Sequence, residues 1–115
     1  METQLSLESS GNVVLNATGS GTITLFPASP WERWEITRYS TFSTGVGCDV
    51  DIYKNFVSDS NWVDGTLKGD ADTGGIQTTL YPGEKLIINC TNGTTGDRVT
   101  VNLYGNRYVK GRRAY

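Results

Sequence analysis

The stretch "CDVDIY", residues 48–53, alternates without a break: Cys48, Val50 and Ile52 are apolar, while Asp49, Asp51 and Tyr53 carry polar ends. A period of two belongs to a β-strand with one face in a core and the other in water, because successive side chains point to opposite faces. The pattern returns in "LIINC", with Leu86, Ile88 and Cys90 inward, and in "RVTVNLYG", with Val99, Val101 and Leu103 inward. In "WEITRYSTF" it places Trp34, Ile36, Ser40 and Phe42 on the buried face and Glu35, Thr37, Tyr39 and Thr41 on the other. Arg38 falls on the buried side of that run, where its guanidinium needs a partner or a route to solvent. No convincing run has the spacing of an amphipathic helix.

Between these runs stand turn sequences: "GSG" at 19–21, "FPASP" at 26–30, "TGVG" at 44–47, "DTGG" at 72–75, "YPG" at 81–83 and "TNGTTGD" at 91–97. Pro82-Gly83 suits a type II turn, since Pro presets φ at the second position and Gly accepts positive φ at the third. Strands are expected near 3–8, 12–17, 21–26, 32–43, 48–54, 64–69, 76–80, 85–91 and 98–105. The reading is an all-β chain, an antiparallel β-sandwich in a single domain. A chain of 115 residues has room for one such core and not for two ordinary domains. The sandwich domain is assigned to 1–106 and a basic C-terminal arm to 107–115. The expected core is Trp34, Ile36, Val50, Ile52, Leu86, Ile88, Val99, Val101 and Leu103.

Charge and composition exclude several function classes. A net charge of −2 and a pI near 5.0 argue against nucleic acid as a partner, because phosphate binding needs a concentrated positive field. The opening "METQLSLESSGN" lacks a basic segment followed by an apolar one, so no signal peptide is expected. No run approaches the roughly 18 apolar residues of a membrane span, so no membrane partner and folding in a host cytoplasm are expected. The chain has no His, which removes the commonest general base and metal ligand. Cys48 and Cys90 both point inward; a cytoplasm favours free thiols, while a cross-sheet bridge stays open if the two strands face each other.

"LKGDADTGGIQ", residues 67–77, sets Asp70 and Asp72 one residue apart. A calcium loop of the helix–loop–helix type would need further oxygen donors where Gly74 and Tyr81 stand, and glycosidase carboxylates face each other across a cleft. The stretch reads as a hairpin tip. No nucleophile–base pair and no complete metal set can be assembled, so no catalytic residue, metal or cofactor is expected, and the chain is read as a non-enzyme.

Surface chemistry concentrates at the ends. Arg107, Lys110, Arg112 and Arg113 are four of the ten basic residues, interleaved with Tyr108 and Tyr115. Arg and Tyr are frequent interface anchors, so this arm is expected to dock on an acidic neighbour, together with Leu5 and Leu7 of the N-terminal segment. Trp31, Trp62 and Tyr81 sit at loop positions and are candidates for stacking on sugar rings.

The order of features, "PWERWEITRYS", "CDVDIYKN", "VDGTLKGDADTGG" and "LYPGEKLIINCTNGTTGDRVTVNLYG", resembles small all-β virion proteins of tailed phages that infect actinobacteria. The matching positions are Trp34, Tyr53, Asp64, Gly65, Thr66, Gly69, Asp72, Thr73, Pro82, Gly83, Glu84, Leu86, Val99, Val101 and Gly105, within residues 30–105. The resemblance implies a jelly-roll-like sandwich that serves as a capsid decoration or minor virion protein, and it carries no catalytic residues across. Its partners would be the major capsid protein or other virion proteins, the chain itself forming a homo-oligomer, a trimer. The alternative is a glycan-binding module on the virion or a minor tail protein.

Overall fold

The computed structural model describes residues 2–45, 47–66 and 72–110. Among the described residues the strands are β1 (Glu2–Val14), β2 (Gly21–Leu25), β3 (Glu32–Ser43), β4 (Asp49–Lys54), β5 (Trp62–Thr66), β6 (Asp72–Leu80), β7 (Leu86–Thr91) and β8 (Arg98–Lys110). One sheet has the order β1-β8-β3-β6 and the other β2-β7-β4-β5. Every ladder is antiparallel, and β1 pairs with β8, β2 with β7, β3 with β6 and β4 with β5. The chain is thus one long hairpin folded double and rolled up, its two sheets closed by the β3–β8 and β4–β7 ladders. This is jelly-roll topology, and the expected sandwich holds.

The alternating runs build the core as their period requires. All nine expected core residues are buried, joined by Leu7, Leu15, Ile23, Tyr39, Ile76 and Leu80. Burying such a side chain fully contributes about 1.5–3 kcal/mol relative to leaving it in water. The turn at Pro82-Gly83 is also as expected: Gly83 has φ 90°, and the Glu84 N–H donates to the Tyr81 carbonyl at 2.9 Å.

Three expectations are corrected. The first two strands, expected at 3–8 and 12–17, are the single strand β1. Gly11 marks a close approach between the sheets, where a Cβ would lie 2.6 Å from Ile23 Cγ2.

The second correction concerns β3. Against β8, Ile36 pairs with Gly105 and Arg38 with Tyr104, so Thr37 is an extra residue, a β-bulge. One extra residue exchanges the two faces of everything that follows. Tyr39, Thr41 and Ser43 therefore point inward, while Phe42, expected on the buried face, is exposed and Ser40 is turned outward. Tyr39 donates its hydroxyl to Asp64 at 3.0 Å across the sandwich. The bulge also resolves the Arg38 conflict by turning its guanidinium outward, 4.4 Å over the ring of Tyr104. Opposite the bulge, a Cβ on Gly105 would collide with the Glu35 carbonyl oxygen, so only glycine fits.

Third, β5 and β6 lie in different sheets, so they are not the two arms of the hairpin expected at 67–77. Asp70 lies outside the described residues; the backbone of Asp72 begins β6 and pairs with Thr41. The strand β8 likewise passes the expected domain boundary at 107 and runs through Lys110. Among the described residues no helix is long and apolar enough to cross a membrane.

Candidate functional site

The two sheets differ in length. Strands β1, β3 and β8 have 13, 12 and 13 residues, while those of the opposite sheet have 5 or 6. At roughly 3.3 Å per residue the long strands outreach the short ones by about half their length. The start of β1, the end of β8 and the start of β3 project together, because Leu5 pairs with Arg107 and Arg107 with Trp34. The inner face of this overhang continues the row Val99, Val101 and Leu103 with Gly105, Arg107 and Val109. Polar and half-buried side chains replace the core where the second sheet stops.

Beneath the overhang lies a cavity of about 500 Å³, with Leu7, Ala28, Glu32, Trp34 and Arg107 among its walls and Ser6, Glu8 and Ser9 along its β1 side. Arg107 Nη1 holds Glu32 Oε1 at 3.2 Å, and the Glu32 side chain is only 13% exposed. Two N–H donors on this cavity's wall residues, Trp34 Nε1 and Arg107 Nε, are buried and have no hydrogen-bond partner among the described residues. An unpaired buried donor costs about 1–3 kcal/mol.

A second cleft, of about 220 Å³, adjoins it and shares Glu32. Trp31 and Tyr81 stand in its wall with Glu2, Arg33, Pro82 and Lys110. Trp31 is held through its backbone, its carbonyl accepting from the Lys110 N–H at 2.8 Å and its N–H donating to Ser29 Oγ at 3.1 Å. Tyr81 is held by the turn it opens: its N–H donates to the Glu84 carboxylate at 2.9 Å. That bond, with Asn55 and Lys54 nearby, keeps the Glu84 carboxyl below the usual carboxylate range. Arg33 completes the rim, paired with Glu2 at 3.2 Å and Glu35 at 3.4 Å and lying 4.2 Å over the ring of Tyr108.

The expected docking residues divide. Leu5 is 40% exposed on the overhang, but Leu7 is core and is withdrawn as a docking residue, because β1 turns it into the sandwich. Arg107, Tyr108 and Lys110 belong to β8 and are not a free arm; each is engaged by a strand neighbour. Arg112, Arg113 and Tyr115 lie outside the described residues. Of the three stacking candidates, Trp31 and Tyr81 meet in one cleft, each about half exposed. Trp62 does not join them: it starts β5, the edge strand of the other sheet, and donates Nε1 to Asp51 at 3.0 Å. Sequence reasoning missed Glu32 and the indole N–H of Trp34. The one sign of them was "WERW", which packs two indoles and two charges at a strand entrance.

The two thiols are free and buried, and they lie side by side: Cys90 is in β7 and Cys48 immediately precedes β4, the strand that pairs with it. Burial first, and the adjacent Cys48 second, push the Cys90 thiol up to about 12; burial raises Cys48 as well. Thiols so raised are poor nucleophiles. Among the described residues no group of three or more His, Cys, Asp or Glu is placed to hold a metal ion.

No family model matches the sequence. No curated protein matches it either. Among solved structures, the chain is similar to a family two carbohydrate esterase from Cellvibrio japonicus, with 12% identity and a TM-score of 0.31 over 93% of this chain. The chain spans 37% of that enzyme's length, and a likeness at that score carries no argument about fold or activity.

Proposed function

We propose that this chain is a non-enzymatic structural protein of a tailed-phage virion, an outer decoration protein that docks on major capsid subunits as a homotrimer. The resemblance over residues 30–105 supports this, and the observation that carries it is the overhang. There β1 forms the edge of its sheet, and the inner face beside it lies beyond the opposite sheet. An edge strand offers unpaired N–H and C=O groups to a neighbour, and repetition over a shell multiplies a modest contact through avidity. Leu5 and Lys110 stand exposed on the described part of this region, with Arg112, Arg113 and Tyr115 following in sequence.

Mass spectrometry of purified virions of the encoding phage tests the reading. Peptides of this chain at capsid-scale copy number are expected, and their absence rejects it. Removing 111–115 should lower occupancy while leaving β8 whole, whereas removing 107–115 would also strip Glu32 of its partner Arg107.

A second reading, a module that grips host-surface glycans, is favoured by one specific observation: Trp31 and Tyr81 share a cleft. Aromatic faces of this kind stack on the apolar faces of sugar rings.

A further inference from the structure

We infer that the cavity under the overhang and the Trp31–Tyr81 cleft form one saccharide site joined at Glu32, and that its ligand is uncharged. The inference rests on the glycan reading and specifies where the hydroxyl groups bind and what charge the sugar carries.

The hydrogen-bond inventory comes first. Trp34 is 6% exposed, yet among the described residues its Nε1–H has no partner, and neither does the Nε–H of Arg107, whose residue lines the same cavity. Both donors call for an oxygen acceptor. On the same cavity Glu32 offers a largely buried carboxylate, one oxygen of which faces Arg107 Nη1. A sugar hydroxyl fits both needs, since its oxygen accepts from an N–H while its own hydrogen goes to the carboxylate. A carboxylate ligand would satisfy the donors but would stand against Glu32 and repel it.

Charge points the same way. The two cavities are lined by three carboxylates, Glu2, Glu8 and Glu32, and three cations, Arg33, Arg107 and Lys110. The sum selects neither an anion nor a cation. The larger cavity, about 500 Å³, lies in the usual range for small-ligand sites. Trp31 and Tyr81, 44% and 55% exposed, provide the apolar wall on which a further ring of the same chain can lie.

Titration of the full chain with neutral di- to tetrasaccharides of glucose, galactose, mannose and N-acetylglucosamine tests this by amide and indole NMR. The three Trp indole N–H signals serve as the probe. Saturable binding should shift the Trp34 and Trp31 indole signals and leave that of Trp62 in place. Glu32→Gln should weaken binding about tenfold or more, as expected for losing a charged hydrogen bond. Arg107→Lys, which keeps the charge and removes the Nε–H, and Tyr81→Ala should each weaken it severalfold, and Trp62→Ala should not. Amide spectra of each variant establish that it is folded.

Three results overturn the inference. Binding that shifts Trp31 but spares Trp34 and ignores Glu32→Gln would sink it while the glycan reading survives. No binding by any sugar at about 10 mM, a millimolar affinity limit, would sink both. Preferential binding of uronic or sialic sugars, or of an extended peptide, would refute the uncharged saccharide.

Discussion

Strand β8 carries two inner faces in one run. Over 99–103 the face is Val99, Val101 and Leu103, all fully buried; over 105–110 it is Gly105, Arg107 and Val109, and the last two are half-buried. The hydrogen-bonded ladder to β1 continues through both without a shift. The alternation, the strand and the ladder are common to both, and only the cover differs. The covered half is held by the opposite sheet and has no freedom to do anything else. The uncovered half keeps the rigidity of the ladder but presents side chains to a cavity, which is how a small sandwich obtains a rigid site without a long loop.

The largest effect should separate the two halves. Leu103→Ala should lower the unfolding free energy by about 2–5 kcal/mol, as for other buried leucines. Leu5→Ala, on the same face but two rows further out on the overhang, should change it by no more than about 0.5 kcal/mol. Urea unfolding of both variants checks the contrast, and an equal loss would mean that the overhang is already packed.

Gly105 marks the border. Gly105→Ala forces a Cβ onto the Glu35 carbonyl and should destabilise by about 1–3 kcal/mol, with the damage centred on the bulge. Hydrogen exchange should rise at Ile36 and Arg38 before it rises at Val50 and Ile88. Uniform acceleration would show that the bulge is not a local feature.

The sheet that covers this half also predicts a pH limit. The Cys90 thiol is raised from an ordinary 9.0 to about 12 by burial, so folding favours the protonated form. Its contribution is fully present below the unfolded value near 9 and is lost as pH rises towards about 12. Thermal unfolding should therefore shift downward over that alkaline range, and Cys90→Ala should flatten the slope while lowering stability at neutral pH. A slope unchanged by the substitution would assign the alkaline loss to other groups.

The smallest effect belongs to the rim near Tyr81. The Lys54–Glu84 pair, at 3.4 Å, is partly solvated, so Lys54→Ala should alter stability by no more than about 0.5 kcal/mol. Glu84, held below the usual carboxylate range chiefly by the Tyr81 N–H, contributes above its ordinary pKa and loses that contribution as pH falls. Glu84→Ala should accordingly weaken the acid limb of the stability profile, a difference that calorimetry at two pH values can read.

Much of the fold was legible in the residues themselves. The runs around Val50, Leu86 and Val99 carry a clean period of two, and tertiary packing honoured each of them. The second half of β3 was misread because nothing in "ITRYS" identifies Thr37 as the residue to be bulged. Only the meeting of Gly105 with the Glu35 backbone makes it so. Leu5 and Leu7 look alike in sequence, and their different fates depend on where the opposite sheet stops. The candidate site was half visible. Trp31 and Tyr81 were recognisable as aromatics at turns, but Glu32 and Trp34 matter through an ion pair and an unpartnered N–H that no spacing encodes.

The sequence alone determined the class of structure, because side-chain alternation and turn chemistry are local properties of a pleated chain. Tertiary structure decided the roll of the two sheets, the face exchange at the bulge and the overhang with its cavities. Each of these depends on which distant backbone lies against a given strand, and on how far that partner extends.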